Sequence, residues 1–190
     1  INFIKTCNMS ISKISLIDYD STKLRKDGSA KTISFFCKKR PVKIDSDVVT
    51  ELRDISEQNK GANVRICLHD SPLSKHHDMV ILERKGKYYR PHKHKDKGEA
   101  FHIIDGKMAI FVFDYNGNVI DSVILLKGDI YRIEAGQYHS VMPVTDVVIY
   151  HENKPGPFLG DDDSIFPDWA PNGANDDEVF QYMSALYSLI

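Results

Sequence analysis

The sequence predicts an all-β fold, either a sandwich or a barrel, in a chain of 190 residues. From residue 31 onward, short β-rich runs recur every ~8–12 residues, a spacing typical of such folds. Residues 111–120 form the clearest hairpin pattern, since Asn116-Gly117 supplies the two positive φ angles of a type I′ turn. Helical periodicity is confined to two stretches, near residues 45–57 and near the C-terminus.

The strands are predicted in chain order from β-branched and aromatic runs bounded by turn residues. They cover residues 32–37, 63–68, 79–83, 88–94, 100–104, 107–114, 119–126, 129–133, 139–143 and 147–152. Residues 1–30 show poor periodicity. Residues 156–173 are rich in Pro, Gly and Asp, which predicts a long surface loop before the terminal helix.

Two helices interrupt this β pattern. The first, near residues 45–57, has Asp45 or Ser46 as its N-cap and ends at Gly61. The second begins near Asn175, and three acidic residues follow at the positive end of its dipole. Both helices carry apolar residues at helical spacing, so each is expected to pack one face on the β structure.

Composition and charge are those of one globular unit. Hydrophobic residues make up 42% of the chain and charged residues 27%, which excludes a disordered or collagen-like protein. The net charge of −2 gives no support for a nucleic-acid partner. No apolar run approaches the ~20 residues of a membrane-spanning helix. We expect a single domain over 1–190, with a core barrel over about 63–155, an N-terminal extension over 1–62 and a C-terminal loop and helix over 156–190.

The cysteines and the N-terminus favour a cytoplasmic protein. Cys7, Cys37 and Cys67 are odd in number and widely spaced, which predicts reduced thiols rather than a disulfide framework. The first ten residues lack the pattern of a signal peptide. The predicted strand at 31–37 would present an unpaired edge, and covering that edge with a second copy favours a homodimer. The chain's own tail could equally cover it.

Four residues carry the prediction of a metal site. His92 and His94 are two residues apart in a predicted strand, so both imidazoles lie on one face. Glu99 starts the next strand, and His139 lies on a later one. Three neutral imidazoles and one carboxylate suit Zn²⁺, Fe²⁺, Mn²⁺, Ni²⁺ or Co²⁺ and leave room for water or substrate. An exposed strand would explain a lone His-x-His pair, but the spacing, glycines and sheet context together favour one divalent transition metal.

The spacing of these residues resembles the two motifs of the cupin superfamily. The first motif is matched without substitution, as Gly86-x5-His92-x-His94-x4-Glu99-x6-Gly106. The second appears as Gly128-x5-Glu134-x-Gly136-x2-His139-x3-Pro143. It departs at Glu134, where Pro is usual, and at Pro143, where Asn is usual, while the ligand position His139 is kept. The resemblance implies a cupin jelly-roll β-barrel or sandwich, here with extra N-terminal strands.

Further stretches are similar to one branch of that superfamily, the WbuC-like cupin metalloproteins. They are Arg65-x-Cys67-Leu68-His69, His77-Asp78-Met79, Tyr89-Arg90-Pro91-His92-Lys93-His94, Glu99-Ala100-Phe101-His102, Tyr131-Arg132-Ile133, His151-Glu152, Gly156-Pro157-Phe158 and Trp169-Ala170-Pro171. The similarity spans roughly residues 34–171. It implies a small bacterial cytoplasmic protein associated with lipopolysaccharide (O-antigen) or other surface-polysaccharide assembly, and it implies no defined reaction.

Two further candidates precede the His-x-His pair. Counting back by twos from His92 places Arg90 and Tyr88 on the ligand face. Arg90 would then be a fixed cation able to hold a carboxylate or phosphate next to the metal. The alternatives are an Arg at the barrel mouth with its guanidinium in water, or one paired with Glu83 or another carboxylate at the rim. We therefore treat Arg90 and Tyr88 as candidate substrate-binding or catalytic residues.

His102 and Tyr131 complete the candidates. Alternation from Glu99 turns His102 to the opposite face of its strand, where a hydrogen bond or a dimer contact would occupy it. Tyr131 and Arg132 flank the second motif, and alternation through the turn does not decide which of them faces the cavity. Both His102 and Tyr131 are kept as residues that could bind substrate or move a proton.

Three functions fit this site. The first is a metal-dependent, isomerase- or epimerase-like enzyme acting on a small anionic ligand such as a sugar phosphate or a nucleotide sugar. The second is an Fe(II)-dependent oxygenase. The third is a non-catalytic cupin that binds a metabolite. The fold does not decide among them, because one fold hosts many chemistries.

Overall fold

The computed structural model describes residues 12–28, 30 and 32–190. Its elements are β1 (Leu24–Asp27), β2 (Ile33–Cys37), α1 (Ser46–Gln58), β3 (Val64–Cys67), β4 (His76–Arg84), β5 (Glu99–Asp105), β6 (Met108–Phe113), β7 (Val119–Leu125), β8 (Ile130–Ile133), β9 (Tyr138–Pro143), β10 (Val147–Pro155) and α2 (Asp176–Tyr187), with a 3₁₀ turn at Gly160–Asp163. A seven-stranded sheet has the order β1-β2-β3-β4-β10-β5-β8, and a three-stranded sheet has the order β7-β6-β9. Neighbouring strands are antiparallel except β2 and β3. The predicted all-β jelly-roll sandwich with extra N-terminal strands and two helices is confirmed.

The two sheets face each other across an apolar interior. Phe101 and Ile103 of β5 and Tyr150 of β10 meet Met108 and Ile110 of β6 in this layer. These residues are almost completely buried. Alternation along each strand therefore gives the larger sheet an inner face, and that face also carries the site described below.

Helix α1 covers the outer face of the larger sheet. Its N-cap is Asp45, whose carboxylate accepts a hydrogen bond from the Val48 backbone N–H. Val48, Leu52 and Ile55 point into an apolar cluster on this outer face. Gly61 follows the helix with a positive φ of 74°, which glycine adopts without steric cost. The predicted helix near 45–57 is thus confirmed.

Residues from the C-terminal end cover the smaller sheet. Leu186 of α2 and Trp169 pack against Phe111 and Phe113 of β6. The Asn116-Gly117 turn lies against the same indole: a Cβ on Gly117, whose φ is 88°, would come within 2.7 Å of Trp169. The predicted type I′ geometry is wrong, because Gly117 has a positive φ and Asn116 does not. The turn instead closes through the hydrogen bond from the Gly117 N–H to the Asp114 carbonyl, and Asp114 Oδ1 accepts from the N–H groups of Asn116 and Asn118. Neither described helix is long and apolar enough to cross a membrane.

Residues 88–94 differ from the predicted strand. They are extended, but they form only isolated bridges, between His92 and His139 and between Lys93 and Ile165. Pro91 has no backbone N–H to donate, which prevents a continuous ladder here. The prediction of a full strand is wrong, although the bridge to His139 still ties the two predicted motifs together.

The N-terminal region holds a strand that the sequence pattern does not show. Strand β1 lies within residues 1–30 and pairs with β2. The edge that favoured a homodimer is therefore covered by the chain itself. Cys37 and Cys67 are buried, free thiols, whereas Cys7 lies outside the described residues.

Candidate metal centre

Side chains of four residues converge at one end of the sandwich interior: His92, His94, Glu99 and His139. Their ligand atoms all lie within 4.8 Å of one another. Glu99 begins β5, and His139 belongs to β9. His92 and His139 exchange two backbone hydrogen bonds, of 3.0 and 2.8 Å, which fixes the two imidazoles beside each other. The four residues singled out from the sequence are thus brought together by the fold.

Each imidazole is oriented by a backbone carbonyl. The contacts from Nδ1 are His92 to Arg90 (3.1 Å), His94 to Asp163 (2.6 Å) and His139 to Gln137 (3.0 Å). A carbonyl oxygen can only accept a hydrogen bond, so each Nδ1 carries the hydrogen. The Nε2 atoms are then left with lone pairs, which is the form that binds a metal.

The Nε2 atoms of His94 and His139 are buried and make no hydrogen bond. Glu99 Oε1 nevertheless lies 2.5 Å from His139 Nε2, and Glu99 Oε2 lies 3.5 Å from His94 Nε2. In the neutral imidazoles these nitrogens and the carboxylate oxygens are all acceptors, so their lone pairs face each other. A cation among them would satisfy all of these atoms, so the donor set fits a divalent transition metal.

The electrostatics favour the metal-binding state of Glu99 and of His92, and they oppose it at His94. Burial opposes ionisation of Glu99, but Lys154 and the two adjacent imidazoles hold its pKa well below the ordinary value. Burial, with a smaller contribution from the neighbouring His139, lowers the pKa of His92 to about 4. The pKa of His94 is raised because Glu99 outweighs the effect of burial. At neutral pH the site therefore has an ionised carboxylate and a neutral His92.

Two lysines near the centre were missed by sequence reasoning. Lys154 Nζ lies 3.2 Å from Glu99 Oε2 and 2.8 Å from Glu152 Oε1. Lys97 pairs with the carboxylate of Asp163. Alternation along β10 could have identified Lys154, because Glu152 and Lys154 fall on the inward face with Tyr150. No sequence signal marks Asp163, which lies in a loop.

Arg90 lies at the rim of the centre without an acidic partner. Its Nη2 donates to the Pro167 carbonyl at 2.8 Å, and its guanidinium carbon is 5.1 Å from the centre of the Phe166 ring. That ring is 6.0 Å from the ring of His92. Within the described part of the chain, Arg90 forms no ion pair with any carboxylate. The suggested pair with Glu83 is absent there.

The two tyrosine candidates lie in different places. The Tyr88 hydroxyl donates to the Pro171 carbonyl at 2.8 Å, and its ring contacts Tyr182 of α2. Tyr88 therefore packs beneath the C-terminal helix. Tyr131 donates to Asp121 Oδ2 at 2.5 Å and links β8 to β7. Burial raises the pKa of both hydroxyls to about 12, with Asp121 adding to the effect at Tyr131, so both stay protonated at neutral pH.

The His102 side chain lies on the other side of β5 from that of Glu99. Along this strand Glu99, Phe101 and Ile103 are buried, whereas His102 is exposed. The alternation expected from the sequence is therefore followed, and the His102 side chain points away from the centre. It pairs across the sheet with His151 and Ile130.

The loop over residues 156–173, here called the C-terminal loop, forms one wall of the centre. Backbone hydrogen bonds join Ile165 to Lys93 in both directions. Asp163 supplies the carbonyl that accepts from His94, and Phe166 packs between Arg90 and His92 as described above. The sequence predicts a surface loop here. The structure shows that this loop also shapes the site.

The family model DUF6016, described as a domain of unknown function, matches residues 44–125. The matched region includes His92, His94 and Glu99 and ends before His139. No curated protein sequence matches the chain.

Several solved structures are similar to parts of the chain. L-ribose isomerase from Cellulomonas parahominis is 17% identical, with a TM-score of 0.48 over 59% of this chain and 72% of that chain. The capsular polysaccharide assembling protein CapF from Staphylococcus aureus is 18% identical, with a TM-score of 0.47 over 56% of this chain and 31% of that chain. The cupin domain of Cnp3 from Schizosaccharomyces pombe is 15% identical, with a TM-score of 0.42 over 49% of this chain and 64% of that chain. The chain thus spans about a third of CapF and under two thirds of the Cnp3 domain.

Proposed function

We propose that this chain binds one divalent transition metal through His92, His94, Glu99 and His139, and that the metal and Arg90 together bind a small anionic, sugar-derived ligand. One observation carries the proposal: the buried carboxylate of Glu99 and the imidazole nitrogens of three histidines converge, with all four ligand atoms within 4.8 Å of one another. Such an arrangement is unfavourable unless a cation joins the donors.

The chain's own residues set up the centre in two ways. The backbone carbonyls described above hold each Nδ1–H, which aims each Nε2 at a common point. A bound divalent metal would supply Lewis-acid polarisation of a carbonyl or hydroxyl group. The buried position of His94, Glu99 and His139 limits water around these donors, which strengthens the electrostatic interactions inside the site.

Arg90 supports the choice of an anionic ligand. Its guanidinium is half-buried and its Nε is buried without a hydrogen bond. The Pro167 carbonyl holds the group in place but does not neutralise its charge. Carboxylate and phosphate groups match the fork of donors on an arginine. We propose that a carboxylate or phosphate of the ligand fills this position, as in a sugar phosphate or a nucleotide sugar.

The similarity to WbuC-like cupins supports a role in surface-polysaccharide metabolism in the cytoplasm. We propose that the active form is a homodimer that pairs through β1, which replaces β2 as the edge strand of the seven-stranded sheet. A monomer mass in light scattering would contradict the dimer. Turnover would be an isomerisation or epimerisation. The second candidate is a non-catalytic metabolite-binding cupin, which is favoured by one observation: Tyr88 and His102, two of the expected proton-transferring groups, do not point into the centre.

Elemental analysis of natively purified protein tests the metal site. We expect one divalent transition metal per chain, lost in His94→Ala and kept in the control His102→Ala, with both variants folded by circular dichroism. Full metal retention in His94→Ala would refute the ligand set. Iron as the native metal, with O₂ consumption, would favour the oxygenase instead. Sugar phosphates and nucleotide sugars are then screened, where conversion supports an enzyme and binding alone supports the second candidate.

A further inference from the structure

Lys154 places a positive charge inside the sandwich, next to the proposed metal ligands. Only 15% of its side chain is exposed. The ammonium lies between two carboxylates, 3.2 Å from Glu99 Oε2 and 2.8 Å from Glu152 Oε1. The ammonium is therefore paired with both carboxylates at once.

The two oxygens of Glu99 have different surroundings because of this lysine. Oε2 accepts a hydrogen bond from Lys154. Oε1 has the shorter approach to the imidazoles, at 2.5 Å from His139 Nε2, whereas Oε2 is 3.5 Å from His94 Nε2. Thus Oε2 of Glu99 is held by the Lys154 ammonium, whereas Oε1 points toward the imidazole of His139.

We propose that Lys154 is a positioning residue that keeps Glu99 as a single-oxygen metal ligand, with Glu152 anchoring the ammonium. The inference rests on the metal centre proposed above. A carboxylate that binds through one oxygen occupies one coordination position, whereas a bidentate carboxylate occupies two. Lys154 therefore keeps a position open on the metal for water or for the anionic ligand.

A buried ion pair alone does not account for this arrangement. Removing two charges from water is unfavourable, and a pair of apolar residues often serves stability equally well. Here the lysine contacts a metal ligand directly, and its second contact to Glu152 restricts where the ammonium can lie. Glu152 and Lys154 project from the same face of β10, two residues apart, so the strand itself fixes this geometry.

The test uses the full chain loaded with Co²⁺, whose visible absorption depends on coordination number and geometry. The variants are Lys154→Met, which keeps the length of the side chain without its charge, and Glu152→Gln. Lys95→Met is the matched control, because Lys95 is exposed and lies between His94 and Glu99 in sequence. Bound Co²⁺ per chain is measured alongside the spectrum.

We expect Lys154→Met to bind one Co²⁺ per chain with a shifted and weaker visible band, since both oxygens of Glu99 become available to the metal. Glu152→Gln should shift the band in the same direction by a smaller amount, and Lys95→Met should match wild type. An unchanged spectrum in Lys154→Met at full occupancy would overturn the inference.

Two further outcomes are distinguishable. Should Lys154→Met fail to fold, Glu152→Gln decides, because it keeps the ammonium while weakening its anchor; a wild-type spectrum there overturns the inference. Absence of stoichiometric Co²⁺ binding by the wild-type protein would instead contradict the proposed metal centre itself, and the positioning role of Lys154 would fall with it.

Discussion

A buried carboxyl group on β4 should make the stability of the protein fall as the pH rises. Glu83 is almost completely buried, and its Oε2 makes no hydrogen bond. Burial raises the pKa of Glu83 to about 7, and the neighbouring hydroxyls of Tyr89 and Tyr150 only partly offset the effect. The folded protein therefore favours the neutral acid. Replacing Glu83 by Gln keeps the shape of that neutral acid and removes its titration.

The expected size of the effect follows from linkage. Between the ordinary pKa of 4.5 and the folded value of about 7, the folded state keeps a proton that the unfolded state has lost. Stability must therefore decrease with rising pH across this window. Each pKa unit corresponds to about 1.4 kcal/mol. The free energy of unfolding of Glu83→Gln, taken relative to that of wild type, should therefore increase by about 2–3 kcal/mol between about pH 5 and about pH 8.

Urea unfolding of the metal-free protein at these two pH values measures the difference. Glu134→Gln is the matched control, since Glu134 is exposed and its pKa is lowered by Arg132. Its carboxylate is ionised at both pH values in both states, so its difference from wild type should not depend on pH. If the free energies of unfolding of Glu83→Gln and wild type differ by the same amount at both pH values, the prediction that Glu83 is a neutral buried acid is refuted.

Three further predictions concern the ligand, the metal and the fold. Arg90→Lys should weaken binding of a sugar phosphate or citrate about tenfold, roughly 1.4 kcal/mol, because an ammonium lacks the bidentate donors of a guanidinium. The metal content should not change. Equal affinities of wild type and variant in calorimetry would show that Arg90 does not bind the anion. Metal affinity, followed by chelator competition, should fall on acidification toward and below about pH 6.5 as protons compete for the imidazoles. The loss should begin with His94, because the pKa of His94 is raised above its ordinary value, and a flat profile would argue against imidazole ligation. Asp45→Ala should lower the free energy of unfolding in urea by about 1 kcal/mol, because helix α1 loses its N-cap. An unchanged unfolding midpoint would contradict the capping role of Asp45.

The ligand residues could be found from sequence because their geometry is largely local. His92 and His94 are two residues apart, and Glu99 follows after one short turn, so backbone alternation alone brings them close. His139 requires a long-range pairing, which the spacing of the second motif indicated. The position of the hairpin at Asn116-Gly117 and helix α1 were predictable for the same reason, since each depends on a few adjacent residues. The turn type was not, because only Gly117 has a positive φ.

The lysines and the wall of the centre depend on the path of the chain in space. Lys154 lies 55 residues from Glu99 in sequence, and Lys97 lies 66 residues from Asp163. Nothing in their local sequence shows which carboxylate each one meets. Strand β1 was missed for a related reason: it is held by pairing with β2, and its own four residues carry no strong apolar alternation.

Residues 88–94 show how an incorrect strand assignment still located the ligands. Alternate side chains in this segment are held by carbonyls of the C-terminal loop in antiparallel order: Tyr88 by Pro171, Arg90 by Pro167 and His94 by Asp163. The loop thus takes the place of a neighbouring strand, with side-chain hydrogen bonds replacing most of a backbone ladder. Side chains still alternate between two faces because the segment is extended, regardless of which groups form hydrogen bonds with its polar atoms. One loop therefore orients both His94, the proposed metal ligand, and Arg90, the cation proposed to bind the anion, so that the proposed positions of metal and anion would be coupled.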